Sequence, residues 1–324
     1  MTKSFCFIGH VDSGKSTLSG HLIYKCGNIS EHDLEKLIKT TEGKSYQQWS
    51  RLLDIYEEEQ IRSKTHEFNI IELKYNNNVY NLIDTPGHKT FIRSMIEGVS
   101  YFDNSEIIGC LVISMNKGEF EAGWVNGQTK EDILIARAVG INSLIVLLNK
   151  MDTIDWNKEI YDDVISKITP YIKECNFNYI TFIPTSGYEG IGLIDTVQIP
   201  SWYNGKSLIE TIDSCNIKKM NVPPINMEKW NTMSCEIKIF ELESIITKGY
   251  KCIMHYDSNE YEVLITNIKS KKFLKKGDSD MIILKSDKEI ERNPQRNVRR
   301  IILRNGTFTI GFGRIMDVKL KKEN

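Results

Sequence analysis

Near the start of the sequence, Gly9-His10-Val11-Asp12-Ser13-Gly14-Lys15-Ser16 fits the spacing G-x-x-x-x-G-K-[ST], with Thr17 next in line. Glycines at these two positions let backbone N–H groups close round phosphate oxygens. Lys15 neutralises charge on the outer phosphates, and the Ser16 hydroxyl is placed to bind Mg²⁺ at a helix N-terminus. The motif falls between an apolar run, SFCFI, and a helical one, STLSGHLIYKC, which is where it has to fall to work. A Gly-rich turn without a ligand is the alternative reading.

Phosphate binding does not separate one nucleotide from another, and a second group of residues bears on that choice. Asn149-Lys150-Met151-Asp152 follows the apolar run SLIVLLN directly. A carboxylate at Asp152 can accept two hydrogen bonds from guanine N1 and N2, which adenine cannot donate. Asn149 would meet the base from another edge, and the Lys150 stem would cover its face. Ser186-Gly187, after the run YITFIPT, would offer backbone N–H to the guanine oxygen. Alone, N-K-M-D could be a surface turn; downstream of a phosphate loop it reads as a guanine site.

Two further segments complete the set. Asp84-Thr85-Pro86-Gly87-His88 closes the run VYNLIDT: Asp84 would serve the Mg²⁺ through a water, Gly87 would donate its N–H to a γ-phosphate, and His88 would orient an attacking water. Within EEEQIRSKTHEF, Glu57 to Phe68, Thr65 would ligate Mg²⁺ only while the γ-phosphate is present; the other reading is a solvated acidic helix end. The catalytic set is therefore Lys15, Gly87 and His88, and the metal set Ser16, Thr65 and Asp84.

These residues need strand ends and helix starts to hold them. From Lys3 to about Asp213, short apolar runs alternate with helical stretches, the signature of parallel strands with crossover helices. CLVIS and SLIVLLN are apolar on both faces, as strands covered on each side should be. Ser30 ahead of EHDLEKLIK, with Asp33 three residues on, reads as a helix start. The expected organisation is a nucleotide-binding α/β domain over 1–213, with a mostly parallel sheet and helices on both faces. A linker over 214–231 contains Pro223 and Pro224, and a small antiparallel β-barrel follows over 232–324.

At 324 residues, 40% hydrophobic and 26% charged, the sequence excludes disordered and collagen-like classes. No apolar run approaches the roughly 20 residues of a spanning helix, and MTKSFCFIGH enters a strand where a signal peptide would be apolar; no membrane role is expected. Seven scattered cysteines without a C-x-x-C pair point to reduced thiols in a cytoplasmic setting. The net charge of −1 hides an asymmetry: 20 basic and 29 acidic residues up to Asp213, 22 and 14 after it, a balance of −9 against +8. A basic second half suits a polyanion partner or a Lys-rich solvated surface; Lys269, Lys271, Lys272, Lys275 and Lys276 flank one turn there. Heavy use of Lys, Ile and Asn fits an AT-rich genome, such as that of a large DNA virus or a protist, in which case host cytoplasm is the setting.

GHVDSGKST, DTPGH, GEFEAG (Gly118–Gly123), NGQTKED (Asn126–Asp132) and NKMD, in this order, resemble the translational GTPases. The similarity is to the eukaryotic group of elongation factor one-alpha, release factor three and the pelota-associated rescue GTPase. Lys64 before Thr65 resembles the release and rescue members more than elongation factors, which carry Ile there. GYKCIMHY, FLKKGDSDMI and RNGTFTIGFGRI resemble the family's last β-barrel, although its Asp-Cys-His is replaced by His255-Tyr256-Asp257. The family's middle barrel, which holds the aminoacyl end of tRNA in elongation factors, has only 214–231 in its place. The resemblance thus implies a GTP/GDP-binding, Mg²⁺-dependent switch that hydrolyses GTP slowly alone and acts at the ribosome or on ribosome-associated RNA without ordinary tRNA delivery. A release-factor-like or pelota-like protein is a possible partner; DNA is not. It also lets Asp12 help hold a monovalent cation near the bridging oxygen, unless Asp12 is simply a polar loop residue. The competing function is a GTP-gated binding module with little hydrolysis, docking a protein or RNA.

Overall fold

The computed structural model describes residues 2–27, 48–53, 69–84, 107–125, 128–215, 229–240, 245–257, 259–291, 299–306 and 308–319. Thr65, Gly87 and His88 lie outside these residues, as do the helix expected after Ser30 and the KTFIRSMIEGV segment. The chain divides into two units, an α/β unit and a barrel.

The α/β unit is built on a six-stranded sheet ordered β2-β3-β1-β4-β5-β6. Its strands are β1 Thr2–Ile8, β2 Asn69–Tyr75, β3 Asn78–Asp84, β4 Ile107–Ser114, β5 Ser143–Asn149 and β6 Tyr179–Pro184. All neighbours run parallel except β2, which pairs antiparallel with β3 from Asn69↔Asp84 to Tyr75↔Asn78. Every residue of β4 and of β5 is buried, which is why both read as unbroken apolar runs. β2 was not foreseen: the residues ahead of it read as a switch segment. Its signal is Asn76-Asn77, both at positive φ (46° and 62°), the backbone of a two-residue hairpin turn that Asn tolerates.

Helices α1 Lys15–Lys25, α2 Glu119–Val125, α3 Gln128–Val139, α4 Lys158–Glu174 and α5 Leu208–Ser214 accompany the sheet. Tyr161, Val164, Ile168 and Ile172 are the buried stripe of α4, at the three- and four-residue spacing one helix face requires. Its start is fixed by Asn157, whose side chain accepts from the Glu159 and Ile160 N–H groups. Ser207 and Glu210 form a capping box at α5. One apolar cluster joins Phe5, Leu18, Leu22, Leu82, Val112, Leu147 and Ile212 across the unit.

The second unit is a closed antiparallel barrel of six strands, ordered β10-β7-β12-β11-β8-β9. They are β7 Lys229–Ile239, β8 Lys251–Tyr256, β9 Asn259–Ile268, β10 Ser279–Glu291, β11 Arg300–Asn305 and β12 Phe308–Lys319. β7 begins inside the segment expected as a linker, and its Trp230 is fully buried in the barrel core with Tyr256 and Ile315. Closure leaves no free sheet edge among these strands. All seven cysteines are free. Among the described residues no helix is long and apolar enough to cross a membrane.

Candidate nucleotide site

In an open α/β sheet, ligands bind beyond the carboxyl ends of the strands, where the chain leaves neighbouring strands in opposite directions. β1 sits between β3 and β4, so the loop after β1 lies at such a point. That loop is Gly9–Gly14, and it runs into α1 at Lys15. The ends of β3, β5 and β6 carry Asp84, Asn149 and the Thr185-Ser186-Gly187 turn to the same edge.

The loop's shape explains its glycines. Gly9 has φ 142°, and a Cβ there would come 2.3 Å from the Val112 carbonyl oxygen of β4. Gly14 has φ 98°, and its Cβ would come 2.3 Å from Asn149 Nδ2. A side chain is excluded at both, so the loop backbone packs against β4 and β5 with its N–H groups at the start of α1. Asp12 is exposed at φ 65°. Lys15 Nζ donates to the Gly9 and His10 carbonyls at 2.6 and 2.8 Å, so its charge lies across the loop mouth. Ser16 is exposed at the first turn of α1, with Thr17 half-buried beside it. Among the described residues, the buried Ser13 Oγ and His10 Nδ1 have no hydrogen-bond partner. A cavity of about 130 Å³ opens beside the loop, lined by Val11, Asp12, Ser114, Phe120, Gly123 and Thr129 among others.

Asn149 is 1% exposed, and both ends of its amide are bonded. Its Nδ2 donates to the Ser13 carbonyl at 2.9 Å, and its Oδ1 accepts from the Gly187 N–H at 2.8 Å and the Thr185 hydroxyl at 3.4 Å. Its amide clasps the phosphate loop to the β6 turn, and one Nδ2–H takes part in that clasp. The turn's N–H groups are bonded too, Gly187 to Asn149 Oδ1 and Ser186 to the Ile191 carbonyl. The physical reason is general, since buried backbone donors have to be paired. Thr185 went unremarked in the sequence, although it directly precedes Ser186.

Lys150 stands at φ 65°, a left-handed residue that starts the short 3₁₀ turn Met151–Ile154. Met151 is fully buried and donates its N–H to the Thr185 carbonyl at 3.1 Å, anchoring the turn. Lys150 Nζ reaches Glu119 Oε2 at 2.6 Å. One oxygen of Asp152 is shielded from solvent and has no hydrogen-bond partner among the described residues. Such an oxygen is costly unless a donor arrives, which is what a guanine edge supplies. Two residues that sequence reading passed over also stand close. Asp132 in α3 is 6% exposed, and burial pushes its carboxyl up to about 7 against the pull of Lys15. His21 in α1 stacks on Trp49 at 3.8 Å and bonds the Gly187 carbonyl through Nδ1 at 2.9 Å. Burial lowers its pKa to about 4.

A phosphate-type loop running from a strand into a helix at the carboxyl edge of a mostly parallel sheet defines the class as a nucleotide-binding α/β domain, followed by a β-barrel. Residues 2–218 match the family described as "Elongation factor Tu GTP binding domain", and residues 226–319 match "Elongation factor Tu C-terminal domain". The chain belongs to this translational GTPase family, with a GTP-binding domain and one C-terminal barrel. Only residues 219–225 separate the two matches. The "Eukaryotic peptide chain release factor GTP-binding subunit" of Zygosaccharomyces rouxii is 38% identical over 233 residues, 68% of this chain and 34% of that one. The "Elongation factor 1-alpha" of Entamoeba histolytica is 39% identical over 212 residues, 64% of this chain and 47% of that one. The chain thus spans about a third of the release-factor relative and about half of the elongation factor. Its fold is similar to the Saccharomyces cerevisiae Ski7 GTPase-like domain bound to GTP, with TM-score 0.76, 16% identity and 97% of each chain covered.

Proposed function

We propose that the chain is a GTP-hydrolysing switch that acts at the ribosome or on ribosome-associated RNA without ordinary aminoacyl-tRNA delivery. The observation that carries the guanine reading is the unpartnered Asp152 oxygen beside a fixed Lys150, at the edge where the Gly9–Ser16 loop opens. Lys15 and the loop N–H groups bind the phosphates, while Lys150 and Asp152 take the base, with Asn149 and the Ser186-Gly187 turn as the frame. Ser16, Thr65 and Asp84, the last through a water, would hold Mg²⁺, and hydroxyl and carboxylate oxygens suit a hard cation. When bound, it supplies positive charge that offsets the phosphates. Gly87 senses the γ-phosphate through its N–H, and His88 orients the attacking water. Hydrolysis is slow until a partner completes the site, as in switch GTPases where stimulation reaches about 10⁵-fold.

The reading extends to organisation and setting: a GTP-binding domain over 1–213, a linker from 214 that ends where β7 begins at Lys229, a barrel from there on, and cytoplasmic action. Similarity to release-factor subunits supports a release-factor-like or pelota-like protein partner. The seven-residue interval between the two family matches is too short to hold a middle barrel, which supports the exclusion of ordinary tRNA delivery. A second reading, a GTP-gated binding module with little hydrolysis, is favoured by the same short interval. Displacement of a fluorescent GDP analogue tests the guanine reading: GTP and GDP should compete and ATP should not. Equal competition by ATP would overturn it.

A further inference from the structure

We propose that Glu119, on a helix outside the nucleotide motifs, is a positioning residue that fixes Lys150 over the base position and thereby sets how long a guanine nucleotide stays bound. The inference rests on the guanine reading of Asn149–Asp152 and assigns a role to a residue that reading does not include.

Glu119 is the first residue of α2, and its side chain is 36% exposed. Both carboxylate oxygens are committed. Oε2 accepts from Lys150 Nζ at 2.6 Å and from the Ser114 hydroxyl at 2.6 Å, and Oε1 accepts from Asn116 Nδ2 at 2.7 Å. The donors stand on rigid ground. Ser114 is the last residue of β4 and pairs with Asn149 across the sheet, and the Met115 N–H donates to the Asn149 carbonyl at 2.8 Å. Asn116 in turn gives its own N–H to Ser114 Oγ at 3.2 Å. Burial pushes the Glu119 carboxyl up, but the bonds from Lys150, Ser114 and Asn116 outweigh it and hold the group down to about 2. The carboxylate is charged across the whole working pH range.

An isolated surface ion pair would achieve little, because ordering two long side chains offsets the Coulomb gain. Glu119 differs in being pinned by two further donors before Lys150 arrives, so the ordering falls mainly on Lys150. Lys150 starts from a left-handed backbone, sits between Asn149, which is buried, and Asp152, and its side chain is only 27% exposed. With its ammonium held 2.6 Å from Glu119, its four-carbon stem is fixed along the base position instead of sweeping through solvent. Preorganisation of this kind lowers the cost of ordering on binding and shows mainly in the dissociation rate.

The test is stopped-flow release of N-methylanthraniloyl-GDP from the full chain in four forms: wild type, Glu119→Gln, Lys150→Ala and the double variant. Glu119→Gln keeps the shape and both neutral donors and removes the charge. It should release the nucleotide about tenfold faster, with association within about twofold of wild type. In the Lys150→Ala background the same substitution should change release less than about twofold, because its effect travels through Lys150. Release at the wild-type rate, or an equal acceleration in both backgrounds, overturns the proposal while leaving the guanine site standing. Wild type that binds no guanine nucleotide overturns both. Should Glu119→Gln lose its circular dichroism, Asn116→Ala, which removes the donor to Oε1, carries the same comparison with a smaller acceleration.

Discussion

On the proposed guanine reading, recognition comes down to a carboxylate with an oxygen to spare. Asp152→Asn replaces an acceptor with an amide donor, so it should weaken GDP binding by about 10- to 100-fold, the worth of hydrogen bonds to a charged group. The same amide complements the extra carbonyl of xanthine. Competition binding should therefore show xanthosine diphosphate overtaking GDP in the variant, and an unchanged preference for GDP would contradict the assignment. Asn149→Ala reads differently, because that side chain ties Ser13 to Gly187. It should lower thermal stability by about 1–3 kcal/mol as well as weaken nucleotide binding, since buried partners lose their bonds together. Motif spacing singled out Lys15, Lys150 and Asp152, and the structure sets Lys15 across the loop mouth and the other two just after β5. The clasp that Asn149 makes on the phosphate loop was not legible, since it depends on Ser13, which lies 136 residues away in the chain. Glu119 was hidden for the same reason: it stood inside GEFEAG, but its partner is 31 residues distant.

At the scale of elements, strand ends and helix starts have to meet within a few tenths of an ångström. Gly9→Ala brings a Cβ against the backbone oxygen of Val112, which has no side chain to swing away, and φ 142° disfavours any L-residue. The variant should lose about 1–3 kcal/mol in denaturant unfolding and lose nucleotide affinity with it. Two buried groups give the α/β unit opposite pH responses. His21, lowered to about 4, binds fewer protons folded than unfolded, so its contribution falls by about 3 kcal/mol as pH drops from 6.5 through 4. Asp132, raised to about 7, binds more protons folded, so its contribution is present at acid pH and fades as pH rises from about 4 through 7. In melts of the nucleotide-free chain at pH 7, 6 and 5, His21→Phe should lose less stability on acidification than wild type. Asp132→Asn should lose more. Parallel slopes for all three would contradict these assignments. The β4 and β5 runs and the amphipathic α4 were plain from hydrophobic pattern, whereas β2 was not. An edge strand announced mainly by an Asn-Asn turn offers little periodicity to read, and its antiparallel pairing is fixed by the hairpin.

Across the whole molecule, an acidic GTP-binding half is followed by a basic half, −9 against +8. The barrel's Lys269–Lys276 turn is ordered by carboxylates: Asp280 accepts from the Ser270 and Lys271 N–H groups, and Asp278 from Lys271 Nζ and the Lys275 N–H. Exposed Phe273 stands among these lysines. If this surface meets RNA, affinity should fall steeply between about 50 and 200 mM salt, and the charge-removing set Lys269→Ala, Lys272→Ala and Lys275→Ala should flatten that dependence. Salt-independent binding would assign the lysines to solubility alone. The absence of a middle barrel between two recognisable family units was legible from the spacing of motifs, because seven residues cannot form one. The central claim is a switch whose hydrolysis a partner completes. Its most direct test is GTP hydrolysis by the full chain with and without eukaryotic ribosomes, alongside His88→Ala. The account predicts strong stimulation by ribosomes, abolished by His88→Ala while GTP affinity is retained. Tight GTP binding with no stimulation would contradict it and leave the GTP-gated binding module in its place.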